Sequence, residues 1–181
     1  MYKKAFESFP VLETPRLRLR QLIEADANDI FALRSNAEVN KYLGRKPAQS
    51  IDDARAFVRS INESIRLNQV LYWAITFMGS NKLIGCIGLF NFSANMQQAE
   101  IGFELLPEYQ GRGVMQEAVN NVINFGRQTI RLEYIQARTH RENSASVALL
   151  QRLHFRKTGK AEEYLDQYEY AFPDFRKPGQ D

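Results

Sequence analysis

The chain of 181 residues contains few of the residue types that mark extracellular or metal-binding proteins. It has one cysteine, Cys86, and two histidines, His140 and His154. A single cysteine excludes a disulfide within the chain, and these three residues lack the spacing of a zinc site. We therefore expect no metal, and this cysteine usage is typical of a protein in the reducing cytoplasm.

Long runs of one chemical character are also missing. No apolar stretch approaches the ~20 residues that span a bilayer, and Met1 to Glu7 lack the apolar core of a signal peptide. The 24 Lys and Arg residues against 21 Asp and Glu give a net charge of +3, without a long basic run. We expect a soluble cytoplasmic protein, monomeric or homodimeric, that binds neither a membrane nor nucleic acid directly.

What is present is an ordinary globular composition, with 44% hydrophobic and 25% charged residues. The chain has no repeat, no low-complexity stretch and no linker, and its length suffices for one domain with a substantial core. We therefore predict a single domain over residues 1–181.

Strand and helix patterns alternate along the whole chain. Apolar residues that alternate with Arg16, Arg18 and Arg20 predict a first strand with a cationic outer side. Ser50 and Asp53 form a capping-box pattern at the start of one helix, and 39–49 is predicted as a loop or a short helix. The predicted strands are 17–22, 70–78, 83–92, 99–106, 134–139, 155–164 and 167–172, and the predicted helices are 24–35, 50–65, 114–126 and 144–153.

The predicted order β-α-α-β-β-β-α-β-α-β-β mixes hairpins with one central β-α-β unit. This order indicates an α/β protein whose central sheet of about seven strands is mixed and mostly antiparallel, with about four helices on its two faces. The helix over 144–153 is nearly all apolar, and we expect it to be buried.

The stretch Gln110-Gly111-Arg112-Gly113-Val114-Met115 is the most informative part of the chain. It places two glycines at the start of an amphipathic helix, directly after a predicted strand. The first N–H groups of a helix lack intrahelical partners and lie at the positive end of its dipole, so a glycine turn there can accept a phosphate group. The stretch therefore predicts binding of a phosphorylated ligand. The sequence argues against a Rossmann or P-loop nucleotide site, because it contains neither of their glycine motifs.

Five stretches together resemble the RimJ/RimL type of the GNAT superfamily of acetyl-CoA-dependent N-acetyltransferases. The glycine turn is similar to that family's Gln/Arg-x-x-Gly-x-Gly/Ala signature. The other stretches are Leu12-Glu13-Thr14-Pro15-Arg16-Leu17-Arg18-Leu19-Arg20, Tyr72-Trp73-Ala74-Ile75, Glu100-Ile101-Gly102-Phe103-Glu104-Leu105 followed by Pro107-Glu108-Tyr109, and Asn143-Ser144-Ala145-Ser146. They cover nearly the whole chain, and the family fold has the element order predicted above.

The resemblance implies that acetyl-CoA and a primary amine bind together and that the amine attacks the thioester directly. Backbone groups of Leu105 and Leu106 would hold the pantetheine arm. The amides of Gln110, Gly111, Arg112, Gly113, Val114 and Met115 would hold the pyrophosphate. Asn143 would cap the next helix and touch the ligand. Met115 departs from the family pattern, which usually has Gly or Ala at this position.

The resemblance also suggests catalytic groups. Glu100 and Glu104 lie four residues apart, hence on one face of a strand, with Gly102 leaving room between them. Either could accept the amine's proton, with Glu100 favoured, or both could be solvated or paired with arginines. Because Leu150 occupies the position of a tyrosine acid in many members, Ser146 is the alternative acid, or it forms only a helix-start hydrogen bond.

The acceptor is the least determined part. The resemblance places its pocket between the 39–49 segment and the last hairpin, where Tyr42, Phe92, Tyr164 and Tyr168 are expected to line it or to belong to the core. The acceptor could be a ribosomal-protein N-terminus, or a polyamine, an amino acid or an antibiotic. A catalytically silent acyl-CoA-binding regulatory module is a further alternative. His154 is predicted to cap its helix, and Cys86 to be a buried thiol.

Overall fold

A computed structural model describes residues 8–173, so the predicted domain's ends, 1–7 and 174–181, lie outside the described residues. Eight strands form one sheet in the order β1-β2-β3-β4-β5-β6-β8-β7. Neighbouring strands are antiparallel except β5 and β6, which are parallel. The strands are β1 (Leu12–Glu13), β2 (Leu17–Gln21), β3 (Leu71–Phe77), β4 (Leu83–Phe90), β5 (Gln98–Leu105), β6 (Tyr134–His140), β7 (Arg156–Lys160) and β8 (Leu165–Ala171). The predicted mixed sheet is confirmed, with the two-residue β1 as its additional strand.

In the described part of the chain five α-helices accompany the sheet: α1 (Ala27–Ser35), α2 (Ala37–Asn40), α3 (Ile51–Arg66), α4 (Val114–Phe125) and α5 (Ser144–Arg152). A 3-10 turn over Glu24–Asp26 precedes α1, another covers Pro107–Tyr109, and a π-helical turn over Gly126–Ile130 extends α4. The segment predicted as a loop or a short helix over 39–49 is mostly irregular, and the four-residue α2 overlaps it only at Val39 and Asn40. No helix within residues 8–173 combines the length and hydropathy required to span a bilayer.

Two hydrophobic cores lie on the two faces of the sheet. The larger core packs the apolar stripe of α4, from Val114 to Ile123, against β2 to β6. The smaller core packs α1 and α3 against the other face of β3 and β4. The sheet is therefore covered on both faces, as the sequence predicts.

Local sequence signals account for several element boundaries. The Ser50 hydroxyl accepts a hydrogen bond from the Asp53 N–H at 3.1 Å, and the Asp53 carboxylate accepts one from the Ser50 N–H at 3.1 Å, which is the predicted capping box. His154 follows α5 with φ +64, so its predicted role as a helix cap is confirmed. The turn from Gly79 to Lys82 joins β3 to β4 as a hairpin.

The prediction that the helix over 144–153 is buried was wrong. Within α5 only Leu150 is fully buried, while Ala145 and Ala148 are exposed. Ala145 and Ala148 line a groove on the side of α4. Val147, Leu149 and Leu150 pack in or against the larger core. The apolar composition of α5 therefore reflects in part the wall of a groove and not a fully buried helix.

The cationic side of β2 is only partly solvated. Arg16 lies 2.6 Å from Glu117 of α4, and Thr14 donates to the same carboxylate. Burial raises the pKa of Glu117, but the hydrogen bonds from Thr14 and Arg16 together outweigh it, and the pKa lies below its usual value. Arg20 forms a bidentate pair with the buried Asp26, at 2.7 and 2.8 Å.

The parallel pair β5 and β6 positions the site described below. Their register covers three residue pairs, from Gln98 opposite Tyr134 to Glu100 opposite Gln136. Beyond Glu100 the strands pair no further, although β5 continues to Leu105 and β6 to His140. The sheet therefore opens into a gap between the far halves of these strands.

Candidate active site

The glycine turn after β5 has the geometry of an anion-binding helix start. Gly111 and Gly113 have φ angles of +71 and +72, in the left-handed region that favours glycine. Gly113 is the N-cap of α4, and no side chain caps the helix. A Cβ atom at Gly111 would meet nothing within 4 Å, so the backbone here is open to a ligand. The first N–H groups of α4 are thus left for an acceptor from outside the chain.

A groove of about 620 Å³ runs from this turn to α5. It brings together most of the predicted ligand-binding residues with two of the predicted catalytic residues, Glu104 and Ser146. The ligand-binding residues in the groove are Leu105, Gln110, Gly111, Gly113, Val114, Met115 and Asn143. Leu106 and Arg112 do not line it. The Leu106 side chain lies in the smaller core, and the Arg112 carbonyl oxygen accepts from Arg16 at 3.1 Å. The Met115 side chain is 8% exposed and packs in the larger core beneath the turn.

The far half of β5 presents free backbone edge to the gap. The Leu106 N–H donates to the Ile84 carbonyl oxygen of β4 at 3.0 Å. Because successive residues of a strand direct their backbone groups to opposite sides, those of Phe103 and Leu105 point away from β4, towards the gap. The Gln110 side chain already donates to the Leu105 carbonyl oxygen at 2.9 Å. An extended ligand in the gap could pair with the remaining groups like an added strand.

A second cavity, of about 470 Å³, lies on the other side of the same gap. It holds Tyr42, Phe90, Glu100, Arg138 and His140. The groove and the cavity share five lining residues, Tyr42, Leu43, Phe103, Asn143 and Ser146, and they therefore adjoin. A ligand in the groove and a second molecule in the cavity would meet at these residues.

Glu100 lies in the cavity with one carboxylate oxygen occupied. Its Oε2 accepts from Arg138 Nη2 at 2.5 Å, from Arg138 Nε at 3.1 Å and from Asn91 Nδ2 at 3.1 Å. These bonds fix the carboxylate's orientation and leave Oε1 for other partners. The alternative that Glu100 pairs with an arginine is therefore realised, but the pairing uses only one of its oxygens.

Glu104 has a different environment, although it lies on the same face of β5. Its Oε1 accepts from the Tyr72 hydroxyl at 3.2 Å and lies 3.5 Å from Arg34, and its Oε2 lies 2.5 Å from Arg45. The residue is 8% exposed. Both of its oxygens therefore face groups of the protein itself, and the two predicted glutamates are not equivalent.

The groups behind Glu104 are unsuited to proton transfer near neutral pH. Burial raises the pKa of the Cys86 thiol well above its usual value, and the Glu104 charge raises it further. Burial likewise raises the pKa of the Tyr72 hydroxyl, with Cys86 and Glu104 adding to the effect. Cys86 is the buried thiol that the sequence predicts.

Ser146 lies where the groove and the cavity adjoin. Asn143 is the N-cap of α5, as predicted, and its Oδ1 accepts from the Ser146 N–H at 3.1 Å. This bond holds the first turn of α5 and leaves the Ser146 hydroxyl at the junction. Leu150, one turn further along, is buried and forms part of the cavity wall.

The predicted acceptor-binding aromatic residues separate into three groups. Tyr42 lines the cavity, and its ring lies 5.3 Å from that of His140, which stacks on Tyr164 at 6.0 Å. Tyr164 is exposed at the cavity rim and does not line the cavity itself. Phe92 packs against the larger core, and Tyr168 is buried in that core. Phe90, and not Phe92, lines the cavity.

Several residues of the site were missed from the sequence. Arg34, Arg45 and Arg138 pair with the two glutamates, but they come from a helix end, an irregular segment and a distant strand. His140 belongs to no motif in the sequence, yet its ring lies between those of Tyr42 and Tyr164. Only the alternation along β6, which puts Arg138 and His140 on one face, carried a signal. Within the described residues, no cluster of His, Cys, Asp or Glu could hold a metal ion.

Sequence comparison finds a family profile and several relatives. The profile described as acetyltransferase (GNAT) domain matches residues 16–156. The chain is 35% identical over 159 residues to the Bacillus subtilis uncharacterized N-acetyltransferase YoaA, covering 88% of this chain and 90% of that protein. It is 26% identical over 163 residues to the [ribosomal protein uS5]-alanine N-acetyltransferase of Escherichia coli, covering 85% and 82% of the two chains.

Solved structures with the same fold include a complex. The microcin C7 self-immunity acetyltransferase MccE, solved with acetyl-CoA and AMP, superimposes with a TM-score of 0.77 at 21% identity. The match covers 88% of this chain and 94% of that one.

Proposed function

Because the chain belongs to the GNAT acetyltransferase family and is an N-acetyltransferase, we propose that it transfers the acetyl group of acetyl-CoA to a primary amine. The amine attacks directly while both substrates are bound. The observation that carries this proposal is the junction of the groove and the cavity at Phe103 and Ser146. Such a junction brings two bound molecules into reacting distance, which is a large part of catalysis for a reactive thioester.

The groove fits acetyl-CoA, which supplies an activated acetyl thioester when bound. The open glycine turn and the uncapped start of α4 match a pyrophosphate, since its amides offer unpaired donors at the positive end of a helix. The backbone edge of Phe103 and Leu105 matches the amides of a pantetheine arm. Asn143 lies further along the same groove.

Glu100 is the proton acceptor in this proposal. An attacking amine must lose a proton, and a carboxylate within reach of it, directly or through one water, serves as general base. Its Oε1 is available while Arg138 and Asn91 hold Oε2, so the group is oriented without being saturated. The Ser146 hydroxyl, at the junction, donates a proton to the departing thiolate sulfur.

The acceptor we favour is the N-terminus of a protein, a ribosomal protein being one candidate. Among residues 8–173 the cavity is lined by one carboxylate, Glu100, whose charge is balanced by Arg138. A polyamine carries several positive charges and needs several acidic partners, whereas a peptide N-terminus needs one. The rings of Tyr42 and Tyr164 at the cavity rim offer apolar contacts to the first side chains of a peptide.

The test is an acceptor screen that follows thiol release from acetyl-CoA. The panel contains ribosomal-protein N-terminal peptides, including that of uS5, together with spermidine, amino acids and aminoglycosides. We expect release with peptides and little with spermidine. Preferred turnover of spermidine would overturn the acceptor assignment. Absence of release with every amine, while calorimetry detects acetyl-CoA binding, would favour the silent regulatory module.

Glu100→Gln tests the proposed base. We expect it to lower kcat by about 100-fold, a typical contribution of a positioned general base. Glu169→Gln is the matched control, because Glu169 lies on the same face of the sheet, on β8, contacts Gln136 at 3.5 Å and lines neither the groove nor the cavity. Equal kcat values for Glu100→Gln, Glu169→Gln and the unmodified chain would remove Glu100 from the mechanism.

A further inference from the structure

The irregular segment over 41–49 forms one wall of the cavity and has few attachments. Tyr42 and Leu43 line both the cavity and the groove, and Gly44 lines the cavity. The segment has no regular secondary structure, so side-chain contacts and isolated hydrogen bonds must hold it. One of these bonds runs from the Ala48 N–H to the Arg34 carbonyl oxygen at 3.1 Å.

Arg45 connects this segment to the sheet through Glu104. Its Nη2 lies 2.5 Å from Glu104 Oε2. Both atoms are buried, and neither has a further hydrogen-bonding partner within the described residues. These two atoms are therefore each other's specific partners, and removing either residue leaves the opposite atom buried without one, although Arg34 and Tyr72 still contact Oε1 of Glu104.

The Nε atom of Arg45 makes a second contact, at the start of the segment. Its Nε donates to Asn40 Oδ1 at 2.8 Å, and Asn40 Nδ2 donates to the carbonyl oxygens of Arg34 and Asn36 at 2.8 and 2.7 Å. Arg45 thus links β5, the end of α1 and the short helix α2. Tyr42 and Leu43 lie between the two points, Asn40 and Arg45, that this network fixes.

We propose that Glu104 is a positioning residue that holds the Tyr42–Gly44 wall against the acceptor cavity through its ion pair with Arg45. It does not exchange protons with the substrate. The inference rests on the proposed function only in assigning the cavity to the acceptor. The two glutamates on one face of β5 thus have different roles: Glu100 accepts the proton, and Glu104 anchors the wall.

Steady-state kinetics of three variants test the proposal. We expect Glu104→Gln and Arg45→Gln each to raise the KM for the acceptor about tenfold, within the range of coupling between contacting residues. Both should change kcat less than threefold, and the double variant should be no worse than either single one, since the two residues act as one unit. The acidic limb of the pH profile should persist in Glu104→Gln and disappear in Glu100→Gln.

Tyr72→Phe is the matched control. It removes a hydroxyl that contacts Glu104 Oε1 but leaves the Arg45 pair on Oε2. We expect its acceptor KM to stay within about twofold of the unmodified chain. The proposal is overturned if Tyr72→Phe matches Glu104→Gln, or if Glu104→Gln lowers kcat and flattens the acidic limb while Arg45→Gln does not.

A second measurement does not depend on activity. The amides of Leu43 and Ala48 are hydrogen-bonded, to the carbonyl oxygens of Asn40 and Arg34. In Glu104→Gln and Arg45→Gln we expect faster hydrogen exchange at these amides and unchanged exchange in β3 and β4. Unchanged exchange at Leu43 and Ala48 contradicts the anchor even in a chain with no measurable acetyl transfer, whereas missing transfer with altered exchange contradicts only the proposed function.

Discussion

Replacing His154 by glycine should stabilise the protein, because a histidine occupies a left-handed backbone position that ends α5. The φ angle of His154 is +64. Its N–H donates to the Gln151 carbonyl oxygen at 3.0 Å, and the Phe155 N–H donates to the Leu150 carbonyl oxygen at 2.9 Å. This is a Schellman motif, with the buried pair Leu150 and Phe155 providing the apolar contact that often accompanies it. Glycine is the residue most often found at this position.

The size of the effect follows from two opposing contributions. A residue with a Cβ atom in the left-handed region costs about 1–2 kcal/mol, which glycine avoids. Glycine loses more backbone entropy on folding, which returns about 0.5–1 kcal/mol of that gain. Because the His154 side chain is exposed, little packing is lost. The net stabilisation is about 0.5–1 kcal/mol, or a rise in Tm of about 1–4 °C for a chain of this size.

Thermal unfolding followed by circular dichroism measures this rise, and Asn68→Gly is the matched control. Asn68 ends α3 in the same motif, with φ +57 and a bond of 2.9 Å from the Gln69 N–H to the Ser64 carbonyl oxygen. Asparagine tolerates the left-handed region better than histidine, so its replacement should gain less. An unchanged or lower Tm in His154→Gly, or an equal gain in both variants, would refute the reasoning.

Three further predictions concern the ligand site and the response to pH. Alanine at Gly111 or Gly113 should weaken acetyl-CoA binding about tenfold in calorimetry, since relief of about 1–2 kcal/mol of strain shifts the turn away from the conformation that presents its amides. Alanine at Gly79, with φ +77 and outside the groove lining, should lower only the Tm. Burial raises the pKa of the Cys86 thiol, so a disulfide reagent at pH 8 should modify the native protein slowly and the urea-unfolded protein at once. The pKa of Glu117 is lower in the folded state, so its contacts stabilise the fold above the unfolded pKa of about 4.3 and are lost as pH falls through the folded value. Between pH 6 and pH 3 the Tm of Glu117→Gln should therefore fall less than that of the unmodified chain.

Local signals predicted most of the fold. The capping box at Ser50 and Asp53, the hairpin turn after Gly79 and the apolar stripe of α4 all depend on residues close in sequence, and they lie where they were expected. The buried state of α5 was mispredicted because composition cannot distinguish a residue facing a core from one facing a groove. That distinction depends on what lies across from the helix, which no local pattern contains.

In the site, too, local motifs could be predicted from the sequence and contacts between distant residues could not. The glycine turn and the β5 glutamates are short motifs, and the sequence placed them correctly on a helix start and on a strand face. The partners of Glu104 come from α1, from the irregular segment and from β3, up to 70 residues away in sequence. Long-range ion pairs of this kind leave no periodicity, so the difference between Glu100 and Glu104 could be seen only in the folded chain.

The short contact between β5 and β6 has a consequence for how the protein unfolds. Three residue pairs join the half of the sheet formed by β1 to β5 with the half formed by β6, β8 and β7. Beyond Glu100 the two halves face each other across the gap. A molecule that binds there and contacts both halves links them, so the bound substrate also stabilises the folded sheet. At 100 times its Kd such a ligand adds about 2.7 kcal/mol to the free energy of unfolding.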